Sequence, residues 1–224
     1  MEVYIVIVAD SQGLRKENEE PKSFHLIDRK PVVMHTFDAF SMFYGKAKFL
    51  LVLPELEIGR WKHLCFEFDF NVPHELVEGG PTRFHSVKNA LARVPEKTMV
   101  LIHDAVRPLV DEHTIMNCFR TAKIHGNAIP VIPLKDPIRK VEKALSLPVD
   151  RTQYRVVQTP QVFQSQLIKK AYMQIYREQF TDDASVLEST GTQMRIVEGN
   201  EDNIKITRAG DLGYAQIVLQ SRNK

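Results

Sequence analysis

Val3-Tyr4-Ile5-Val6-Ile7-Val8 (VYIVIV) is an unbroken apolar run rich in β-branched residues. A short run without polar alternation suits a strand buried on both faces, as in the middle of a parallel sheet. Working outward, Lys48–Leu53 (KFLLVL) and Met99–His103 (MVLIH) read the same way, with Glu75–Val77 and Ala128–Ile132 as shorter candidates. Between them lie helical patterns. Val33, Phe37, Phe40 and Tyr44 fall at i, i+4, i+7 and i+11, and Pro31 just before them suits a helix start. Phe84–Arg93, Asp111–His125 and Gln164–Arg177 follow, and Leu212, Ala215 and Leu219 put a stripe on a last helix. Strand–helix alternation of this kind predicts an α/β fold, a doubly wound, mostly parallel sheet covered on both faces.

Length and composition narrow the class. A chain of 224 residues is expected to form one domain, spanning 1–224. Thirty Lys plus Arg against 28 Asp plus Glu leaves a formal charge of +2, too balanced for a protein that coats nucleic acid. No stretch approaches the ~20 apolar residues that span a bilayer, and Val3–Val8 is too short for a signal-peptide core. Two cysteines, Cys65 and Cys118, make no disulfide framework and read as reduced, buried core residues of a cytoplasmic protein.

Leu134–Gln158 breaks the alternation: it has no helical period, holds two prolines and carries six basic residues against three acidic. An irregular stretch that long inside a compact domain is either a solvated surface excursion or a protruding β-arm that packs against a second copy.

In an open parallel sheet ligands bind at the carboxyl ends of the strands, so the loops after the strands are the candidate sites. Ala9–Phe24 carries Asp10, Gly13, Arg15 and Lys22, a glycine with two cations that suits a polyphosphate and equally suits an ordinary charged turn. It is neither a Walker loop nor a dinucleotide fingerprint. Gly79–Val87 (GGPTRFHSV) offers Gly79 and Gly80 for a close backbone approach to a flat ligand, with Arg83 and Ser86 beside them; a glycine turn with Ser86 near a helix cap is the plainer alternative. In His103–Pro108 (HDAVRP), Asp104 sits just beyond a buried strand with Ala105 and Arg107 following. Asp104 suits a hard divalent cation or a sugar hydroxyl, and Arg107 suits a simple ion-pair partner for it. His103 and the other histidines lack metal-ligand spacing and read as structural or surface residues. Thr181–Ser185 (TDDAS) reads as a helix cap, and Lys205 sits in a short strand-like run near the C-terminus.

Taken together, and in order, Pro21-Lys22, GG-x-x-R-x-x-SV (Gly79 to Val87), HDAVRP, VDR (Val149 to Arg151), QTPQ (Gln158 to Gln161), TDDAS and NIKIT (Asn203 to Thr207) resemble the 2-C-methyl-D-erythritol 4-phosphate cytidylyltransferase family of the non-mevalonate isoprenoid pathway. The resemblance runs over essentially the whole chain. It implies that an acceptor phosphate oxygen attacks the α-phosphorus of CTP in line and releases pyrophosphate, a reaction carried by positioning and charge. It further implies that Arg15 and Lys22 stabilise the triphosphate, that the backbone around Ala9, Asp10, Gly13, Gly79 and Gly80, with Arg83 and Ser86, holds the nucleotide, and that Asp104, Ala105, Arg107 and Thr181 line the substrates. Asp104 would contact the ribose, the acceptor or a bound Mg²⁺ or other divalent cation, and Arg151, Thr159 and Lys205 would place the acceptor phosphate. The 134–158 segment would be the arm of a homodimer that carries Arg151 into the partner's site.

The chain departs from that family's pattern in its first loop, usually A-A-G-x-G-x-R-M. Asp10 replaces an alanine, Ser11 a glycine and Lys16 the methionine. An acidic side chain beside a triphosphate costs on the order of several kcal/mol at an effective dielectric near 20, unless it ligates the metal. In the arm, Pro137 stands where a hydroxyl residue normally follows the aspartate. Two further readings therefore stand beside the first: a cytidylyltransferase for another polyol phosphate such as ribitol 5-phosphate, and a diverged, non-catalytic nucleotide-binding paralogue.

Overall fold

The computed structural model describes residues 1–9 and 21–222. The central strand is β1 (Val3–Val8), as its sequence requires. It pairs in parallel with β4 (Lys48–Leu53) on one side and β6 (Met99–Asp104) on the other, and β5 (Glu75–Glu78) adds in parallel beyond β4. β2 (Leu26–Ile27) and β3 (Lys30–Pro31) form a small hairpin apart from the sheet.

Side chains of β1 alternate between two cores. Val3, Ile5 and Ile7 pack with Phe37, Trp61, Leu101 and Cys118 on one face, while Tyr4, Val6 and Val8 pack with Val87, Leu91, Ile102 and Phe163 on the other. Full burial of each such aliphatic side chain contributes roughly 1.5–3 kcal/mol, which is why both alternating sets are apolar. The first core lies under α1 (Val32–Ala39), α2 (Glu55–Glu67) and α4 (Glu112–His125); the second lies under α3 (Arg83–Ala92) and α5 (Ser165–Ala171). Asp111 caps α4 by accepting the Thr114 amide at 2.7 Å, and Gly126 ends it at φ 92°, a conformation glycine adopts without strain.

The other half of the sheet is mixed. β11 (Gln161–Gln164) runs antiparallel between β6 and β7 (Asn127–Pro133). β10 (Arg155–Val157) runs antiparallel along β7 just before it, so that residues 158–161 stand against residues 129–130. β10 and β11 are thus two halves of one strand interrupted at the QTPQ motif, whose Thr159–Pro160 bond is cis. β12 (Ile196–Glu198) takes the remaining edge of β7 in parallel. The irregular segment resolves into an exposed hairpin, β8 (Ile138–Glu142) and β9 (Leu145–Val149), which leaves Val141, Leu145 and Leu147 exposed.

Several sequence expectations need correction. The helix expected over Gln164–Arg177 stops at Ala171; its continuation is irregular until α6 (Asp183–Glu188). Lys205 lies in no strand: residues 203–207 join no ladder. Cys118 is fully buried as expected, whereas Cys65 is only partly so, lying on α2, whose sole fully buried residue is Trp61. The last helix is present as α7 (Ala209–Arg222).

Candidate active site

Asp104 ends β6 opposite Val8 of β1, at the carboxyl end of the parallel strands. Its side chain is 10% exposed and meets three cations: Lys205 Nζ at 3.1 Å and Arg107 Nε at 3.3 Å on Oδ2, and Arg83 Nε at 3.5 Å on Oδ1. Burial alone would raise the pKa of this carboxyl, but Lys205, Arg83 and Arg107 outweigh it and hold Asp104 well below the usual carboxylate range. It is ionised at any working pH.

Arg83, in the first turn of α3, also forks Asp183, with Nη1 to Oδ1 at 3.0 Å and Nη2 to Oδ2 at 2.8 Å. Asp183 is fully buried and accepts a third bond from the Tyr172 hydroxyl at 2.6 Å. Burial pulls against the Arg83 charge, but Asp183 and Asp104 together keep its pKa above the ordinary arginine value. Three cations therefore face two carboxylates, Asp104 and Asp183, and the cluster carries one net positive charge of the kind an anion neutralises.

The motif blocks lock into one another around this cluster. Thr159, in the QTPQ interruption, accepts the Asp104 amide at 3.1 Å. Gln161 donates to Asp182 at 2.8 Å and accepts the Ala184 amide at 2.8 Å, so QTPQ clamps the N-terminus of α6, whose capping box is Asp182 with Ser185. Arg107 donates to the Asn203 carbonyl at 2.7 Å, and the Asn203 side chain donates to the Thr159 carbonyl at 2.8 Å. Lys22 donates to the Thr207 carbonyl, which ties the first loop's lysine to NIKIT. Ala9 and Ala105 anchor their loops through backbone bonds to Val52 and Val8.

The glycine loop has its own geometry. The Gly79 amide donates to Leu53, and the Gly80 amide donates to Ser86 Oγ at 2.9 Å. A Cβ on Gly80 would lie 2.5 Å from His85 Cβ, so only glycine fits there. Ser86 is fully buried, and it shapes this loop from beneath. Thr181 is exposed just ahead of α6.

Arg151 stands apart: it lies beyond the hairpin, and its guanidinium donates to the Lys135 carbonyl at the base of the arm. Asp10, Ser11, Gly13, Arg15 and Lys16 lie outside the described residues. Sequence reading missed Asp183, Tyr172 and Asn203. The doubled aspartate of TDDAS was the available signal for Asp183, but one carboxylate caps the helix and only the other reaches the site.

Among the described residues no three His, Cys, Asp or Glu side chains group as a metal site. Asp104 alone fits the Mg²⁺ habit of taking one or two carboxylates plus phosphate oxygens and water. No described helix is long and apolar enough to cross a membrane.

A mostly parallel α/β sheet with a net-cationic cluster at its strand ends suits an enzyme that handles phosphorylated, nucleotide-like ligands. Within that class, the chain belongs to the 2-C-methyl-D-erythritol 4-phosphate cytidylyltransferase family, whose model matches residues 3–221. Proteins of that description from Bacteroides fragilis and Phocaeicola vulgatus are 46% identical over 214 residues and 43% identical over 219, covering 96% and 98% of this chain and 98% and 100% of their own. The crystal structure of the enzyme so described from Thermus thermophilus superposes with a TM-score of 0.80 at 28% identity, covering 98% of this chain and 100% of that one. The one from Francisella tularensis gives 0.81 at 26%, covering 97% and 99%.

Proposed function

We propose that this chain transfers CMP from CTP to 2-C-methyl-D-erythritol 4-phosphate and releases pyrophosphate, as a single cytoplasmic domain spanning 1–224. The observation that carries this reading is the meeting of Asp104 with Arg83, Arg107 and Lys205 at the sheet's ligand-binding end, built from the motifs that carry the family resemblance.

Backbone carbonyls of Ala9, Gly79 and Gly80, whose amides are already bonded, accept from the nucleotide, with Ser86 fixing the Gly80 amide and with Asp10 and Gly13 as the first loop's contribution by family resemblance. Lys22 and Arg15 neutralise the charge that builds on the triphosphate as the acceptor oxygen approaches the α-phosphorus. Arg83 and Arg107 hold the Asp104 carboxylate in place while the backbone at Ala105 shapes the pocket floor, and Thr181 contributes a hydroxyl at the rim. Lys205 is 47% exposed, and its ammonium is free to leave Asp104 for the acceptor phosphate. Asp104 is then open as the protein's ligand to a divalent cation. Held there, a Mg²⁺ would supply charge neutralisation for the triphosphate.

The exposed apolar residues of the 134–158 arm, Val141, Leu145 and Leu147, suit burial against a second copy. A homodimer formed through that arm brings Arg151 of the partner subunit to the acceptor phosphate.

Purified protein given CTP, Mg²⁺ and 2-C-methyl-D-erythritol 4-phosphate is expected to release pyrophosphate in proportion to acceptor consumed. Turnover with ribitol 5-phosphate alone would reassign the acceptor. Failure to bind CTP by calorimetry at millimolar nucleotide would refute both enzymatic assignments.

A further inference from the structure

His103 is the one fully buried histidine whose ring joins the site, and its surroundings decide where its proton sits. Nε2 lies 3.0 Å from the Arg107 carbonyl oxygen, which only accepts, so Nε2 carries the hydrogen. In the neutral imidazole Nδ1 is then a bare lone pair. It lies 3.0 Å from Thr159 Oγ1, so the Thr159 hydroxyl donates to it. That hydroxyl has a single hydrogen, and with it spent Oγ1 faces the Asp104 amide, 3.1 Å away, as an acceptor. Phe40 closes the ring in through an edge-to-face contact, with centroids 5.0 Å apart. Every donor in this chain has one acceptor, and the direction runs one way from the Asp104 amide to the Arg107 carbonyl.

We infer that His103 is a positioning residue. As the Nε2–H tautomer it turns the Thr159 hydroxyl into an acceptor that fixes the Asp104 amide at the β6 terminus. This deepens the proposed function and rests on Asp104 being part of its site. It also changes the part expected of Thr159. A phosphate dianion offers only acceptors, and Thr159 has no hydrogen left to give it. Thr159 therefore acts through Asp104, and Lys205 with the partner subunit's Arg151 is left to grip the acceptor phosphate. His103 and Arg107 further tie the strand end to the turn after it, since the Arg107 amide itself returns to the Asp104 carbonyl at 3.1 Å.

The decisive experiment reads the tautomer directly. In the ¹⁵N-labelled wild-type protein, two-bond proton–nitrogen spectra of the imidazoles are expected to show His103 protonated at Nε2 and bare at Nδ1. The resonance is assigned by its loss in His103→Asn or its shift in Thr159→Val. Protonation at Nδ1 would overturn the inference whatever the activity, and it needs no variant to function. Kinetics supply the second readout. His103→Leu and Thr159→Val are each expected to lower kcat about tenfold, with the KM for CTP nearly unchanged, and the double variant is expected to be no worse than the weaker single. His103→Asn, which keeps an acceptor where Nδ1 stood, should recover most of the loss. Additive losses, or no rescue by asparagine, would also overturn it. A wild-type protein inactive as a cytidylyltransferase would sink the proposed function and leave the tautomer result standing.

Discussion

Arg83 meets both carboxylate oxygens of Asp183, at 3.0 and 2.8 Å, across a hundred residues of sequence. The pair joins the glycine loop to TDDAS, and it matters because Asp183 is wholly buried. Arg83→Ala leaves that carboxylate with the Tyr172 hydroxyl but no cation. Removing one partner of a buried pair typically costs about 3–5 kcal/mol, and urea denaturation should show a loss of that size. Arg83→Lys keeps the charge and loses the fork, so it should fall between alanine and wild type.

Gly80→Ala tests the glycine loop. The new Cβ collides with His85 Cβ at 2.5 Å, and neither atom sits at the end of a flexible side chain. The loop has to shift, and the Gly80–Ser86 hydrogen bond goes with it. Overpacking of this kind costs about 1–3 kcal/mol, and calorimetry is expected to show CTP affinity falling by roughly tenfold or more.

The thiols report on burial. Burial raises the Cys65 pKa to about 11, from an ordinary value of 9.0. At pH 8 its alkylation should therefore run roughly a hundredfold slower than that of a free thiol, because the thiolate is the reacting species. Cys118, fully buried, should react only on unfolding. Equal, fast labelling of both cysteines in the native protein would contradict this packing.

Mixing two inactive variants tests the proposed homodimer and the site its subunits would share. Arg151→Ala and Lys205→Ala should each lose most activity. After subunit exchange, half the dimers pair one of each, and every such dimer holds one complete site. About a quarter of wild-type activity is expected to return, read by pyrophosphate release. A mixture that stays inactive would place Arg151 in its own subunit's chemistry.

The strands that lie deepest were the easiest to read. β1, β4 and β6 are buried on both faces, so their sequences are apolar apart from Lys48 at the start of β4 and His103 with Asp104 at the end of β6. α2 left a faint pattern because Trp61 is its only fully buried residue, and β12 is three residues long at an edge. Lys205 was read as strand-like because Ile204 and Ile206 flank it. Those side chains instead pack with Leu109 and Ile27, while the backbone joins no ladder. At the site, the residue types at Asp104 and Arg107 spoke for themselves. The contacts of Asp104 with Lys205 and of Arg83 with Asp183 are products of topology, which brings together segments that no local pattern links. His103 was read only as structural or surface; it is fully buried, and the direction of its hydrogen bonds depends on neighbours that only the fold supplies.

The sheet also dictates a calendar. β7 leaves the ribosome soon after β6, yet the two are not neighbours: the berth between them belongs to β11, made some residues after the hairpin. Until that strand arrives the growing sheet has a gap beside β6, and Asp104 stands at the gap's lip with Arg83 and Arg107 but without Thr159, Asp183 or Lys205. Pairings that span so much sequence are slow to form. The cluster around Asp104 is therefore complete only once the chain has been made through Lys205, and a nascent chain can have much of its core in place before the proposed site exists.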